Sequence, residues 1–137
     1  MLQGIVASLV TNFTAQGEID ELGIEENVRY LTECGVHGVC VAGGTGEALS
    51  LSPDEYRRAV SAALKGAAGQ SYVIAGALYL DPTRIIDCCR FAKESGVAAV
   101  MLIPPYFVRP SPRQLVEHFK SIAQQVDIPL ILFNSPP

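Results

Sequence analysis

The chain has 137 residues, 49% of them hydrophobic, and a formal net charge of −4. That length suits one domain with a sizeable core, and an apolar content this high, without low-complexity tracts, excludes an intrinsically disordered chain. The basic residues are few and scattered, which argues against nucleic acid or an anionic membrane as partner, and no apolar run reaches the ~18 residues of a membrane helix.

The opening "MLQGIVASLV" is apolar but has neither a basic leader region nor a small-residue cleavage site. It therefore reads as a strand over 4–10 rather than a secretory signal, and a cytoplasmic protein is expected. A helix comes next over about 21–34, with Gly23 marking a late start. "HGVCV" (37–41) is the second strand, and it runs directly into the glycine-rich turn "AGGTGE" (42–47). Next, "SPDEY" (52–56) offers Ser52 as N-cap, Pro53 at the first helical position and Glu55 to complete a capping box, with Leu51 and Tyr56 placed to staple that end. "YVIAG" (72–76) is the third strand, and "DPTR" (81–84) repeats the cap-then-proline device with Asp81. "AAVMLI" (98–103) is the fourth strand, "SPRQ" (111–114) opens another helix, and "PLILF" (129–133) is the fifth strand. The strands lack alternation, as expected of parallel strands covered on both faces.

"ECGVHGVCV" (33–41) echoes "ESGVAAVML" (94–102): a helix end, a glycine suited to a left-handed cap, then a buried strand. With strand starts about every 30 residues, the pattern is a repeated βα unit. Two architectures use that order, the doubly wound open sheet and the (β/α)8 barrel. A whole barrel needs ~250 residues, so this chain would supply about half of one, whereas an open five-stranded sheet would fit its length. The pattern alone slightly favours the open sheet. Cys34, Cys40, Cys88 and Cys89 form no CxxC motif, and the adjacent pair suits neither an ordinary disulfide nor a zinc site. Buried, reduced thiols are expected.

In either fold the turns after the strands form the binding face. "AGGTGE" is not a Walker loop, and counting GxGxxG from Gly44 puts Leu49 where the third glycine belongs. A seat for a small carboxylate has better physics: glycines let amides converge on an anion, and the Thr45 hydroxyl adds a donor. Gly44, Thr45 and Gly46 are the candidate substrate-binding residues. The plainer alternative is a tight turn whose glycines are required by positive φ, with Thr45 merely capping the adjoining segment. Glu47 would anchor the loop or cap the next segment.

Four blocks carry a resemblance: "VTNF" (10–13), "AGGTGEALSLSPDEY" (42–56), "IPPYFVRPS" (103–111) and "LILFNSPP" (130–137). They resemble the dihydrodipicolinate synthase and N-acetylneuraminate lyase family of pyruvate-type aldolases and dehydratases, over the first half of a family member. The resemblance implies an α/β fold, a (β/α)8 TIM barrel, with residues 1–137 as the N-terminal part of one barrel domain. It implies a lyase acting on pyruvate or a related 2-oxo acid through a Schiff-base lysine, without metal or organic cofactor, and a homo-oligomer. Carried over by position, Thr45 is the carboxylate-binding threonine. Gly44 stands where synthases usually have threonine, which resembles the branch dehydrating 5-keto-4-deoxyglucarate.

Three departures bear on the chemistry. Phe107, beside Tyr106, and Phe133 occupy the family's two tyrosine positions, and phenylalanine has no O–H to pass a proton. The only lysines, Lys65, Lys93 and Lys120, all fall on predicted helices, whereas a barrel's chemistry sits at its strand ends. The family's lysine belongs to the strand after the one ending at Phe133, so the catalytic amine would lie beyond this chain. His37 and His118 are expected to be structural, and Arg109 to be a surface residue or to line a neighbouring subunit's entrance. The rival expectations are an inactive half-barrel or association module, and a complete open-sheet domain binding a small anion.

Overall fold

Every helix begins where a side chain meets otherwise unpaired amides. In the computed structural model, which describes residues 2–134, the order is β1 (Val6–Ser8), α1 (Glu21–Glu33), β2 (Gly38–Val41), α2 (Pro53–Ala67), β3 (Tyr72–Gly76), α3 (Pro82–Ser95), β4 (Ala99–Leu102), α4 (Pro112–Ala123) and β5 (Leu130–Leu132). At α2 the Ser52 hydroxyl accepts from the Glu55 amide while the Glu55 carboxylate accepts from the Ser52 amide at 2.7 Å, a complete capping box. Ser111 and Gln114 repeat it at α4, and the Asp81 carboxylate accepts from the Thr83 amide at α3. All three caps stand where the sequence places them. Gly35 and Gly96 both adopt left-handed backbone after their helices, as the echo predicts.

The start of α1 differs from expectation. Asp20 caps it by accepting from the Gly23 amide at 3.0 Å, so the helix is under way before Gly23. The glycine makes room for that cap: a Cβ on Gly23 would stand 2.7 Å from an Asp20 carboxylate oxygen.

The five strands are all parallel and lie in the order β1-β2-β3-β4-β5. This order decides between the two architectures. A doubly wound sheet reverses its order at a switch point, and here there is no reversal. Successive right-handed crossovers in one direction put every helix on the same face. Val28, Val60, Ile85 and Ile122 from the four helices accordingly share one buried cluster with Val39, Val41, Val73, Ala75, Val100 and Leu102 from the strands. The fold is the first half of a (β/α)8 barrel.

The intervening strand residues point the other way. Cys40, Ile74 and Ala99 form a second, smaller cluster, with Met101 and Ile131 packed against it. Burial on both faces therefore holds at the centre of the sheet only. The outer strands are partly uncovered: Val6 and Leu132 are both exposed.

Candidate functional site

Parallel pairing fixes the geography. The residues after β1, β2, β3, β4 and β5 leave the sheet at one rim, so the turn at 42–47 and Phe133 share an end of the sheet. Ladder bonds continue up to that rim, from the Leu9 amide to the Cys40 carbonyl and from the Phe133 amide to the Leu102 carbonyl.

Positive φ does not explain the glycines of the turn. The left-handed residues there are Ala42 (φ 49°) and Glu47 (φ 55°), while Gly43, Gly44 and Gly46 lie outside that region. Crowding explains two of the three. A Cβ on Gly46 would stand 3.1 Å from both the Ala42 amide nitrogen and the Leu9 carbonyl oxygen. One on Gly43 would stand 3.3 Å from the Cys40 sulfur and 3.4 Å from the Met101 methyl carbon. Gly44 is different, because nothing lies within 4 Å of where its Cβ would be. Non-glycine residues in left-handed backbone cost of order 1 kcal/mol or more each and persist where surroundings over-determine them.

What over-determines this turn is Thr11, a residue with no role in the expectations above. Its buried hydroxyl donates to the Gly46 carbonyl at 2.6 Å, clamping the turn to the chain leaving β1. Within the turn, the Glu47 amide donates to the Gly44 carbonyl and the Ala48 amide to the Gly43 carbonyl. The amides of Gly44, Thr45 and Gly46 are left without a hydrogen-bond acceptor among the described residues. Thr45 is exposed, and the side-chain hydrogen bonds about this turn are those of Thr11, Ser52 and Glu55, with none from Thr45 or Glu47 among the described residues, so neither expected cap forms and Glu47 does not anchor the loop.

Phe133 is exposed at the same rim, in line with Ile131 and Met101 on the face opposite the helices. Phe107 is 85% exposed, with Tyr106 and Val108 beside it on the connection from β4 to α4. The end of the fourth sequence block, 135–137, lies outside the described residues. Arg109 is exposed. The three lysines lie on helices as expected: Lys65 pairs with Glu25 at 3.4 Å, Lys93 pairs with Asp127, and Lys120 is exposed in the last turn of α4.

The histidines lie on separate elements. His37 accepts from the Ile5 amide through Nδ1, at the end of β2 remote from the glycine turn, and His118 lies half-buried on α4, its pKa lowered by burial. Cys40, Cys88 and Cys89 are buried, but Cys34 is exposed, contrary to expectation, because it is the cap residue ending α1. Burial pushes the Cys40 thiol up to about 11. Among the described residues, no three His, Cys, Asp or Glu side chains converge as metal ligands, and no helix is long and apolar enough to cross a membrane.

The family model of the dihydrodipicolinate synthetase family matches residues 1–137. The chain belongs to this family. It is 36% identical over 135 residues to the 4-hydroxy-tetrahydrodipicolinate synthase of Methanothermobacter thermautotrophicus, covering 98% of this chain and 48% of that protein. Among solved structures, dihydrodipicolinate synthase from Aquifex aeolicus matches with a TM-score of 0.92 and 35% identity, over 98% of this chain and 46% of that one. The chloride-inhibited synthase from Acinetobacter baumannii complexed with pyruvate matches with a TM-score of 0.94 and 32% identity, over 99% of this chain and 47% of that one. The chain thus spans about half the length of the relatives it matches.

In this member of the dihydrodipicolinate synthetase family, two residues that shape the rim differ in how the sequence signals them. Thr11 lies in the block "VTNF", and a threonine directly after an apolar strand is its signal. Gly76 closes β3, and a Cβ there would overlap the Ala42 carbonyl, at 2.1 Å. No local signal distinguishes that glycine from an ordinary strand end.

Proposed function

We propose that Gly44, Thr45 and Gly46 hold the carboxylate of pyruvate or a related 2-oxo acid, as part of a lyase site whose lysine amine is supplied by polypeptide outside these 137 residues. The observation that carries this reading is the run of three consecutive unpaired amides on the rim that also bears Phe133. Successive turn amides with no protein acceptor can line an anion-binding concavity. The pyruvate complex of the Acinetobacter baumannii protein lends it support.

In this scheme, the held carboxylate presents the C2 carbonyl to the amine. The amine nitrogen adds to C2, and the carbonyl oxygen leaves as water with the two amine protons, giving a protonated imine once one further proton is taken up. That imine withdraws electrons from C3, where a carbon–carbon or carbon–oxygen bond is then made or broken. Phe133 and Phe107 cannot relay protons, so the Thr45 hydroxyl, Tyr106 or water takes that part. Metal and organic cofactors have no role in this scheme. Residues 1–137 are the N-terminal part of a single barrel domain, in a protein that is cytoplasmic and homo-oligomeric.

Gly44 supports the finer assignment to the branch dehydrating 5-keto-4-deoxyglucarate. Neither backbone strain nor crowding demands glycine there, so its effect is to leave room beside the carboxylate seat for a longer sugar acid.

The test is pyruvate titrated into isotope-labelled chain. The expected result is saturable shifts of the Gly44, Thr45 and Gly46 amide resonances, weakened in Thr45→Val. Shifts confined to other residues would sink the reading. In the longer protein, borohydride with pyruvate is expected to leave an adduct heavier by one pyruvic acid less one oxygen atom.

A second reading rests on the exposure of Ile5, Val6 and Leu132 and on β1 and β5 each pairing on one side only. Such edges invite association, and the chain alone would then be an inactive module that self-associates. Size-exclusion chromatography across a concentration series distinguishes the two, since a monomer at every concentration removes this reading.

A further inference from the structure

The end of the sheet where the strands begin is crossed by the chain that leads into β1. Traced backward from Ile5, this segment meets the strand starts in sheet order. Ile5 bonds to His37, just before β2, and the Gln3 carbonyl accepts from the Tyr72 hydroxyl of β3 at 2.9 Å. Leu2 then shares an open cavity of about 530 Å³ with Ala98, Pro129, Leu130 and Ile131, at the starts of β4 and β5. This end lies opposite the glycine turn, and the keto-acid reading plays no part in it.

Little holds the segment there. The Ile5 carbonyl accepts from the His37 and Gly38 amides at 2.9 and 3.2 Å, which anchors the chain at the entrance to β1. Before that anchor, residues 2–4 make no backbone–backbone hydrogen bond among the described residues. Two side chains hold them instead: Tyr72, donating to the Gln3 carbonyl, and His37, whose Nδ1 accepts from the Ile5 amide at 3.1 Å. Gly4 (φ 89°) lets the chain close on the imidazole, since a Cβ there would stand 2.3 Å from the His37 ring.

One of those two bonds depends on protonation. A ring that accepts at Nδ1 is neutral and carries its proton on Nε2, whereas an imidazolium has donors on both nitrogens and no acceptor. Protonation therefore sets an N–H against the Ile5 N–H. Histidine is the side chain whose charge ordinarily changes between about pH 5 and pH 8, and His37 is exposed to solvent. No neighbouring charge offsets the change. Residues 2–5 carry no titratable side chain, and Tyr72 of β3 is already donating to Gln3. Glu33 and Cys34, at the end of α1, make neither an ion pair nor a hydrogen bond with His37 among the described residues.

We infer that residues 2–5 are a pH-sensitive strap: neutral His37 holds it across the strand starts, and protonated His37 releases it and opens the cavity beside Leu2 to solvent.

The test is a titration of the isotope-labelled chain from about pH 8 to about pH 5, with the His37 ring protons reporting its charge. The Gln3, Gly4 and Ile5 amide resonances are expected to move with the midpoint of that ring. Over the same range the heteronuclear NOE of Gln3 and Gly4 is expected to fall. Protection of the Ile5 amide, corrected for its intrinsic exchange rate, is expected to drop about tenfold, the usual worth of one hydrogen bond. His37→Asn offers an acceptor near the place of Nδ1 without a titratable ring, and is expected to keep the strap closed throughout. His37→Leu is expected to leave it open at every pH. Should His37→Leu lose its dispersed spectrum, Tyr72→Phe removes the other bond and is expected to raise the open fraction at every pH. Strap resonances that stay fixed while His37 titrates would overturn the inference. So would the same transition in His37→Asn, or one that disappears in His118→Gln.

Discussion

The carbonyl oxygen of Ala42 lies 2.1 Å from the point where a Cβ on Gly76 would stand. The left-handed Ala42 turns the chain out of β2 directly over the end of β3, and only a missing side chain permits that approach. Gly76→Ala is therefore expected to lower stability by about 3 kcal/mol, at the upper end for overpacking against backbone that cannot yield. Gly44→Ala, with open space around it, is expected to stay within ~0.5 kcal/mol of the parent. Urea midpoints of the two variants check the contrast, and equal midpoints would remove crowding as the reason for glycine at 76.

Thr11 brings the neighbouring strand into the same turn. Its hydroxyl is buried and donates to the Gly46 carbonyl at 2.6 Å. Thr11→Val keeps the shape and deletes the donor, leaving that carbonyl without its partner, at an expected cost of ~1–2 kcal/mol. Thr11→Ser should retain most of the stability. Amide exchange at Glu47 and Ala48, whose bonds close the turn, should accelerate in the valine variant and not in the serine one. Unchanged exchange in both would show that the turn holds its shape without the clamp.

These contacts mark the limit of what the sequence discloses. Ser52, Asp81 and Ser111 are legible as caps because donor and acceptor lie within three residues of each other. The strand and helix order is legible for the same reason, since each βα unit carries its own punctuation. The glycine turn is legible as a site but not in its cause. Positive φ is a local expectation, whereas the crowding of Gly46 against Leu9 and of Gly76 against Ala42 arises only once β1, β2 and β3 are adjacent. The stacking of Arg57 over Phe91 and of Arg84 over Tyr79 gives no signal at all, because these read as ordinary helix and loop residues until α2 and α3 are packed side by side.

The α2 cap carries a pH dependence of known sign. Hydrogen bonds from the Ser52 amide and hydroxyl hold the Glu55 carboxyl below its usual range. A carboxyl depressed in the folded state contributes stability that is present above its unfolded pKa and lost as pH falls through the folded value. Glu55→Gln is thus expected to melt below the parent at neutral pH, with the gap closing as the pH drops below the ordinary carboxylate range. Thermal melts of both proteins across that range check it. A gap that widens toward acid would mean that the charge on Glu55 contributes nothing to the cap.

The cysteines report on whether the uncovered face of the sheet stays closed. Cys88 and Cys89 belong to α3 and are buried on the helix side of the sheet, with thiols pushed by burial to about 11 and about 12. Cys40 is different, because it belongs to the small cluster with Ile74 and Ala99 on the face without helices, yet it too is raised to about 11. At pH 8 a thiol with a pKa of about 11 is thiolate in only about one part in a thousand, so a disulfide reagent should find it inert unless the fold opens. Cys34 is exposed. The native chain is therefore expected to release colour from 5,5′-dithiobis(2-nitrobenzoate) rapidly for one thiol, to lose that phase in Cys34→Ser, and to show all four thiols only in denaturant. A second fast phase that vanishes in Cys40→Ser, with Cys88 and Cys89 still protected, would mean that Ile74 and Ala99 do not seal the face. In that case the inner surface of this half-barrel would need a covering layer to be stable.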